Sequence, residues 1–179
     1  NGRKSLNAGA TYESVFTRNA PVAINFVSSA WGERTTKAGD EIVLSIMEHH
    51  SNSVPWHFLR ERHGAVVKWV DVDDEGNFLI EEFEKALTPR TKLVAITQMS
   101  NALGTVVPVK EVVRLAHARG IPVLVDGSQA AVHLAIDVRD IDADFYVFTG
   151  HKLYGPTGLG VLYAKHEHLV AMRPYNGGG

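Results

Sequence analysis

The sequence predicts an α/β fold, a mostly parallel sheet covered by helices on both faces. Two observations carry this. Short apolar runs rich in β-branched residues alternate with stretches of helical period along most of the chain. The runs are mainly apolar and do not alternate regularly with polar residues, the pattern of strands buried on both faces. The 179 residues suffice for one domain with a sizeable core. No internal repeat, low-complexity segment or linker divides them.

Taken in order, the predicted strands are EIVLS (41–45), VVKWV (66–70), TKLVAIT (91–97), IPVLVD (121–126), DFYVF (144–148) and VLYA (161–164). Residues 51–63 read as a helix with Val54, Phe58 and Leu59 on its apolar face and Gly64 as its cap. Residues 80–87 form a second, stopped by Thr88-Pro89. Residues 108–119 form a third, from Pro108 in its first turn to Gly120, with Val109, Val112, Val113 and Ala116 at helical spacing.

Composition excludes several classes of function. Hydrophobic residues make up 45% and charged residues 21%, and the net charge of −2 comes without basic runs, so no nucleic-acid surface is expected. There is no cysteine, which rules out disulfides and cysteine-based zinc sites within these residues. No apolar run reaches the roughly 18 residues of a membrane span. The start, NGRKSLNAGA, lacks the apolar segment of a signal peptide, and the end, NGGG, is turn-like. A cytoplasmic fragment of a longer protein is the expectation.

In sheets of this kind ligands bind beyond the carboxyl ends of the strands. Four of the predicted strands run out into polar segments: IMEHHSN, QMSNALGT, DGSQA and TGHK. Lys152 sits in the last of these, before a Gly-Pro-Thr-Gly turn, and reads as a surface charge, a phosphate clamp or a covalent catalyst. The order GxxxxGK[ST] of a phosphate loop is missing, because the glycines come after the lysine. A lysine at a sheet edge is open to desolvation, which favours the nucleophilic free amine. Asp126, followed by Gly127, reads as a hairpin turn or as the acid that keeps the ring nitrogen of pyridoxal 5'-phosphate (PLP) protonated. His49 and His50 read as a polar loop, a metal pair or a ring-stacking histidine. Glu48-His49-His50 does not match HExxH. Asn101, Gln129, Thr149 and His151 are loop-capping types that also supply donors for a phosphate and a ring hydroxyl.

The segments GHKLYGPTG, MEHHSNSVPW, SNALGT and VDGSQA, in this order and spacing, closely resemble SufS-type cysteine desulfurases of the class V aminotransferase group of PLP enzymes. The resemblance runs from about Phe16 to the terminal glycines. It implies the large domain of PLP fold type I, with seven mainly parallel strands between helices. On that reading residues 1–179 are a PLP-binding core whose N-terminal segment and C-terminal small domain are absent. The implied reaction takes sulfur from L-cysteine, leaving L-alanine and an enzyme persulfide that feeds iron–sulfur cluster assembly through a sulfur-acceptor protein. The implied state is a homodimer.

Motif by motif, Lys152 matches the lysine that carries PLP covalently and then moves protons at the substrate α-carbon. His49 matches the ring-stacking histidine, a catalytic residue that also serves as acid or base, Asp126 the ring-nitrogen partner and Gln129 the residue at the ring hydroxyl. Thr149 and His151 match phosphate ligands, and Asn101 a residue near the ring and the substrate carboxylate. Where the family often reads RNATEAIN, with a threonine hydroxyl and free N–H groups at a helix start facing phosphate, this chain reads RNAPVAIN. Pro21 removes one hydroxyl and one N–H donor, so weaker phosphate binding is expected. Another class V enzyme, an aminotransferase or epimerase, or a non-catalytic PLP-fold fragment are the alternative readings.

Overall fold

The computed structural model describes residues 6–153 and 155–175. The turn-like NGGG end, the first five residues and Tyr154 of the GHKLYGPTG motif lie outside the described residues. Seven strands form one sheet. They are β1 (Ser14–Thr17), β2 (Glu41–Ser45), β3 (Val66–Val70), β4 (Thr91–Thr97), β5 (Val123–Asp126), β6 (Phe145–Thr149) and β7 (Gly160–Ala164), in the order β1-β7-β6-β5-β4-β2-β3. The five strands from β6 to β3 are mutually parallel. β7 runs antiparallel to both β6 and β1.

The apolar runs are explained by burial on both sides. In β5, Val123 and Val125 point to one face and Leu124 to the other; in β4, Val94 and Ile96 oppose Leu93 and Ala95. The first face is covered by α3 (Ile80–Ala86) through Phe83, by α4 (Val109–His117) through Val109, Val112, Val113 and Ala116, and by α6 (Val138–Ile141). The second is covered by α1 (Ala20–Phe26) through Ala23 and Ile24 and by α2 (Val54–His63) through Trp56 and Leu59. A short α5 (Ala130–His133) follows β5, and α7 (His166–Ala171) follows β7. α1 runs on as a π-helical stretch, Val27–Gly32, that buries Trp31. Among the described residues no helix is long and apolar enough to cross a membrane.

Several details differ from the sequence reading. β3, expected to be buried, is an edge strand with Val66 and Trp69 exposed. β1 is an additional strand. The predicted helix over 51–63 is a one-turn 3-10 helix, His50–Asn52, followed by α2. The apolar face of α2 is Pro55, Trp56 and Leu59, while Val54 and Phe58 are exposed. Trp56 is the largest apolar group of the segment, and burying it turns the neighbouring stripe outward. After Asp126-Gly127 the chain enters α5, so of the two readings of Asp126 the hairpin turn is excluded. Gly64 does end α2 in the left-handed region, at φ 71°.

At the start of β6, the end remote from the loops of interest, Asp144 ties three elements together. Its Oδ2 accepts from His117 Nε2 at 2.7 Å and from the Val123 N–H at 2.8 Å, and its Oδ1 accepts from His168 Nε2 at 2.9 Å. Burial alone would raise its pKa. The bonds from His168, His117 and Val123, with the charge of Lys165, outweigh it and hold the carboxyl down at about 2. Against an ordinary value of 3.8 this corresponds to about 2 kcal/mol of stability. A lowered carboxylate pKa stabilises above the unfolded-state value, and the contribution disappears as pH falls from about 4 to about 2. Asp144→Asn is therefore expected to lose about 2 kcal/mol at pH 7 and to flatten the acid limb, as measured by urea unfolding between pH 2 and 7.

Candidate active site

The carboxyl ends of β2, β4, β5 and β6 and the start of α1 surround one cavity of about 290 Å³. All seven residues singled out from the sequence line it: His49 after β2, Asn101 after β4, Asp126 and Gln129 from the β5 exit, and Thr149, His151 and Lys152 from the β6 exit. Asn19, Pro21, Ser51, Thr97 and Ser128 also line it. His50 does not.

Asp126 is the last residue of β5 and is buried. Its Oδ1 accepts the Ser128 N–H at 2.9 Å, and in the sheet it stands beside Thr97 of β4. Residue 127 is glycine where Tyr146 packs closely; a Cβ there would fall 2.0 Å from the Tyr146 hydroxyl. That hydroxyl donates to Gln98 Oε1 at 2.6 Å. Burial, and then the charge of Asp126, push the phenol well above its ordinary range, so it stays a neutral donor.

Lys152 sits in a one-turn 3-10 helix, Gly150–Leu153, directly after β6. Both ends of its loop are strapped: the Gly150 N–H donates to Leu159 O at 2.7 Å and the Gly155 N–H to Gly150 O at 3.0 Å. The half-buried amine donates to Gln129 Oε1 at 3.3 Å. Thr149 is buried, and its Oγ1 accepts the Ala20 N–H at 3.1 Å. His49 is exposed to the cavity side. Its Nδ1 lies 3.2 Å from the Ser51 N–H and 2.8 Å from Ser51 Oγ. A backbone N–H only donates, so Nδ1 is an acceptor and the neutral ring carries its proton on Nε2.

Behind His49 lies Glu48, which the sequence reading used only to exclude a metalloprotease motif. Its Oε1 accepts from Ser45 Oγ at 2.6 Å and from the Thr97 N–H at 3.0 Å, and its Oε2 accepts from Asn52 Nδ2 at 2.7 Å. Asn52 in turn accepts from Nε1 of the fully buried Trp56 at 3.2 Å. This chain fixes the His49 turn to the ends of β2 and β4. Burial is the largest influence on Glu48; the bonds from Ser45, Thr97 and Asn52 pull the other way, Asp126 adds to burial, and the carboxyl is pushed up to about 7. A raised carboxyl pKa stabilises below the unfolded-state value and loses that contribution as pH rises. Stability is thus expected to fall between pH 4.5 and about 7 through this group. Urea unfolding at half-unit pH steps should show the slope, and Glu48→Gln should remove it.

Other lining residues had sequence signals that composition alone would not raise. Asn19 before Ala-Pro is a helix N-cap pattern, and Thr97 is the last residue of a predicted strand.

The whole chain has relatives of known kind. A family model for aminotransferase class-V matches residues 2–179. A cysteine desulfurase of Synechococcus elongatus is 51% identical over 177 residues, 99% of this chain and 28% of that protein. Among solved structures, the cysteine desulfurase CsdA (S-sulfonic acid) from Escherichia coli matches with a TM-score of 0.97 at 41% identity, covering 99% of this chain and 45% of that one. The structure of SspA in complex with cysteine matches with a TM-score of 0.89 at 31% identity, covering 99% and 50%. The chain thus spans half or less of the length of these relatives. Matched by the family model over nearly every residue and sharing the fold of these structures, it belongs to the aminotransferase class-V family.

Proposed function

We propose that this chain is the PLP-binding core of a cysteine desulfurase, converting L-cysteine and an acceptor thiol into L-alanine and a persulfide. The observation that carries the reading is the joint placement of a half-buried lysine amine and a buried strand-end carboxylate on one cavity wall, from the neighbouring strands β5 and β6. The donor set fits PLP: an amine for its aldehyde, a carboxylate for its ring nitrogen, and hydroxyl, amide and imidazole donors for its phosphate and ring oxygen. When bound, PLP supplies an electron sink that acidifies the substrate α-carbon.

The chain's own residues then divide the work. Lys152 is the residue that would hold the cofactor through its aldehyde, and its free amine would hold and move the substrate α-proton. Gln129 orients that amine and stands at the ring hydroxyl. Asp126, fixed by Ser128 N–H, keeps a proton on the ring nitrogen. His49 would face the ring, with Nε2 as its proton-bearing atom. Thr149 and His151 take the phosphate, and Asn101 the substrate carboxylate. None of the 179 residues is a cysteine, so the persulfide-bearing thiol comes from outside them. Delivery to a sulfur-acceptor protein, assembly as a homodimer and a cytoplasmic setting belong to the same proposal. Support for L-cysteine as substrate comes from the desulfurase relatives and from the cysteine-bound SspA structure.

The test uses the full-length polypeptide with PLP, L-cysteine and dithiothreitol. Alanine and sulfide released in equal amounts support the reading. Amino transfer to a 2-oxo acid without sulfide would overturn it in favour of an aminotransferase.

A further inference from the structure

The start of α1 borders the cavity, but its backbone donors are already engaged. The Ala20 N–H is bonded to Thr149 Oγ1, residue 21 is proline, and the Val22 N–H donates to Asn19 Oδ1 at 2.9 Å. The Ala23 N–H bonds Asn19 O at 3.2 Å. An anion at this end of the cavity must be met by side chains.

Asn19 is built for that. Its backbone is extended, with φ −173° and ψ 172°. Thr17 Oγ1 donates to its carbonyl at 2.8 Å. Its backbone lies directly on β7, where a Cβ at Gly160 would fall 2.4 Å from Asn19 C. Thr17, Gly160 and Thr149 stand side by side across β1, β7 and β6, so Asn19 is seated beside Thr149. The Val22 N–H can be met only by the amide oxygen, which settles the orientation of the carboxamide. Nδ2, with two N–H donors, is then on the other branch, and no described residue accepts from it. Thr149 shows the same division. Its oxygen accepts from Ala20, which leaves the hydroxyl proton to be donated.

We propose that Asn19 is a phosphate-binding residue of the cofactor site. Its Nδ2 donates to the PLP phosphate beside Thr149 and His151, in place of the hydroxyl and N–H that Pro21 does not supply. This rests on the PLP reading above.

The experiment titrates the full-length apo protein with PLP and, separately, with pyridoxal, which lacks the phosphate. Binding is followed by visible absorbance and by borohydride trapping at Lys152. Asn19→Asp keeps an oxygen to cap Val22 but sets a negative charge against the phosphate. Asn19→Ser keeps a capping oxygen and loses the amide donors. PLP affinity is expected to fall ~100-fold or more for Asn19→Asp and ~10-fold for Asn19→Ser. Pyridoxal affinity and the apo melting temperature should stay close to those of the parent. An unchanged ratio of PLP to pyridoxal affinity in Asn19→Asp would overturn the proposal and leave the PLP reading intact. If Asn19→Asp does not fold, the same ratio in Asn19→Ser decides. A parent protein that forms no Lys152-dependent adduct with either compound overturns both.

Discussion

Lys152→Ala is expected to abolish borohydride-stable incorporation of PLP and to lower alanine release by ~10³-fold or more, since the nucleophile and the proton carrier are lost together. The fold should not suffer. The lysine is half-buried, and the straps that shape its loop are backbone bonds from Gly150 and Gly155. The truncation gives up one long side-chain bond, to Gln129, so the change in stability is about 1 kcal/mol or less. Two measurements check it, the mass of the peptide containing residue 152 after reduction and the urea midpoint. An adduct that persists in the variant would place the covalent bond on another lysine and remove the basis of the proposed site.

Asp126→Asn is the second large effect. Asparagine fills the same space and still accepts the Ser128 N–H, but it cannot hold a positive charge on a ring nitrogen. Turnover is expected to fall ~10²- to 10³-fold, the scale seen when one preorganised electrostatic group is lost, with smaller changes in folding stability. A further readout separates charge from shape. Asp126 adds to the burial that raises Glu48 to about 7, so in the variant the Glu48-linked stability slope should move to lower pH without vanishing. If turnover fell while that slope stayed in place, the loss would not come from the missing charge.

Much of the fold was legible in the sequence because the inner parallel strands β2, β4, β5 and β6 are buried on both faces and leave apolar runs; β3, expected to be buried, is instead an edge strand with Val66 and Trp69 exposed. β1 was not legible. SVFT is four residues long, lies at a sheet edge and has only partly covered side chains, so neither an unbroken run nor an alternation stands out. The face of α2 was misread because Val54-Phe58 and Trp56-Leu59 offer competing stripes at helical spacing; the sheet selected the one holding the larger ring. The seven site candidates were visible as polar residues at strand exits. What stayed hidden depends on distant partners. The Glu48 pKa is raised by burial and by Asp126, and the carboxyl is held by the Thr97 N–H, 49 positions away. An N-cap pattern marks Asn19 as the start of a helix, but only its seat on Gly160 places it in the cavity wall.

The antiparallel insertion of β7 between β1 and β6 also sets a timetable for the nascent chain. β1 has β7 as its sheet partner, and Ser14 pairs with Tyr163, 149 residues later. At ribosomal speeds of about 5–20 residues per second, SVFT waits on the order of ten seconds as an unpaired edge, with Val15 not yet packed against the core. The Ala20–Thr149 bond waits almost as long. The parallel strands β2 to β5 are complete by residue 126 and can collapse first, while the phosphate end of the cavity closes last. During synthesis, then, the incomplete sheet is most open to wrong pairing at the edge that later carries Asn19.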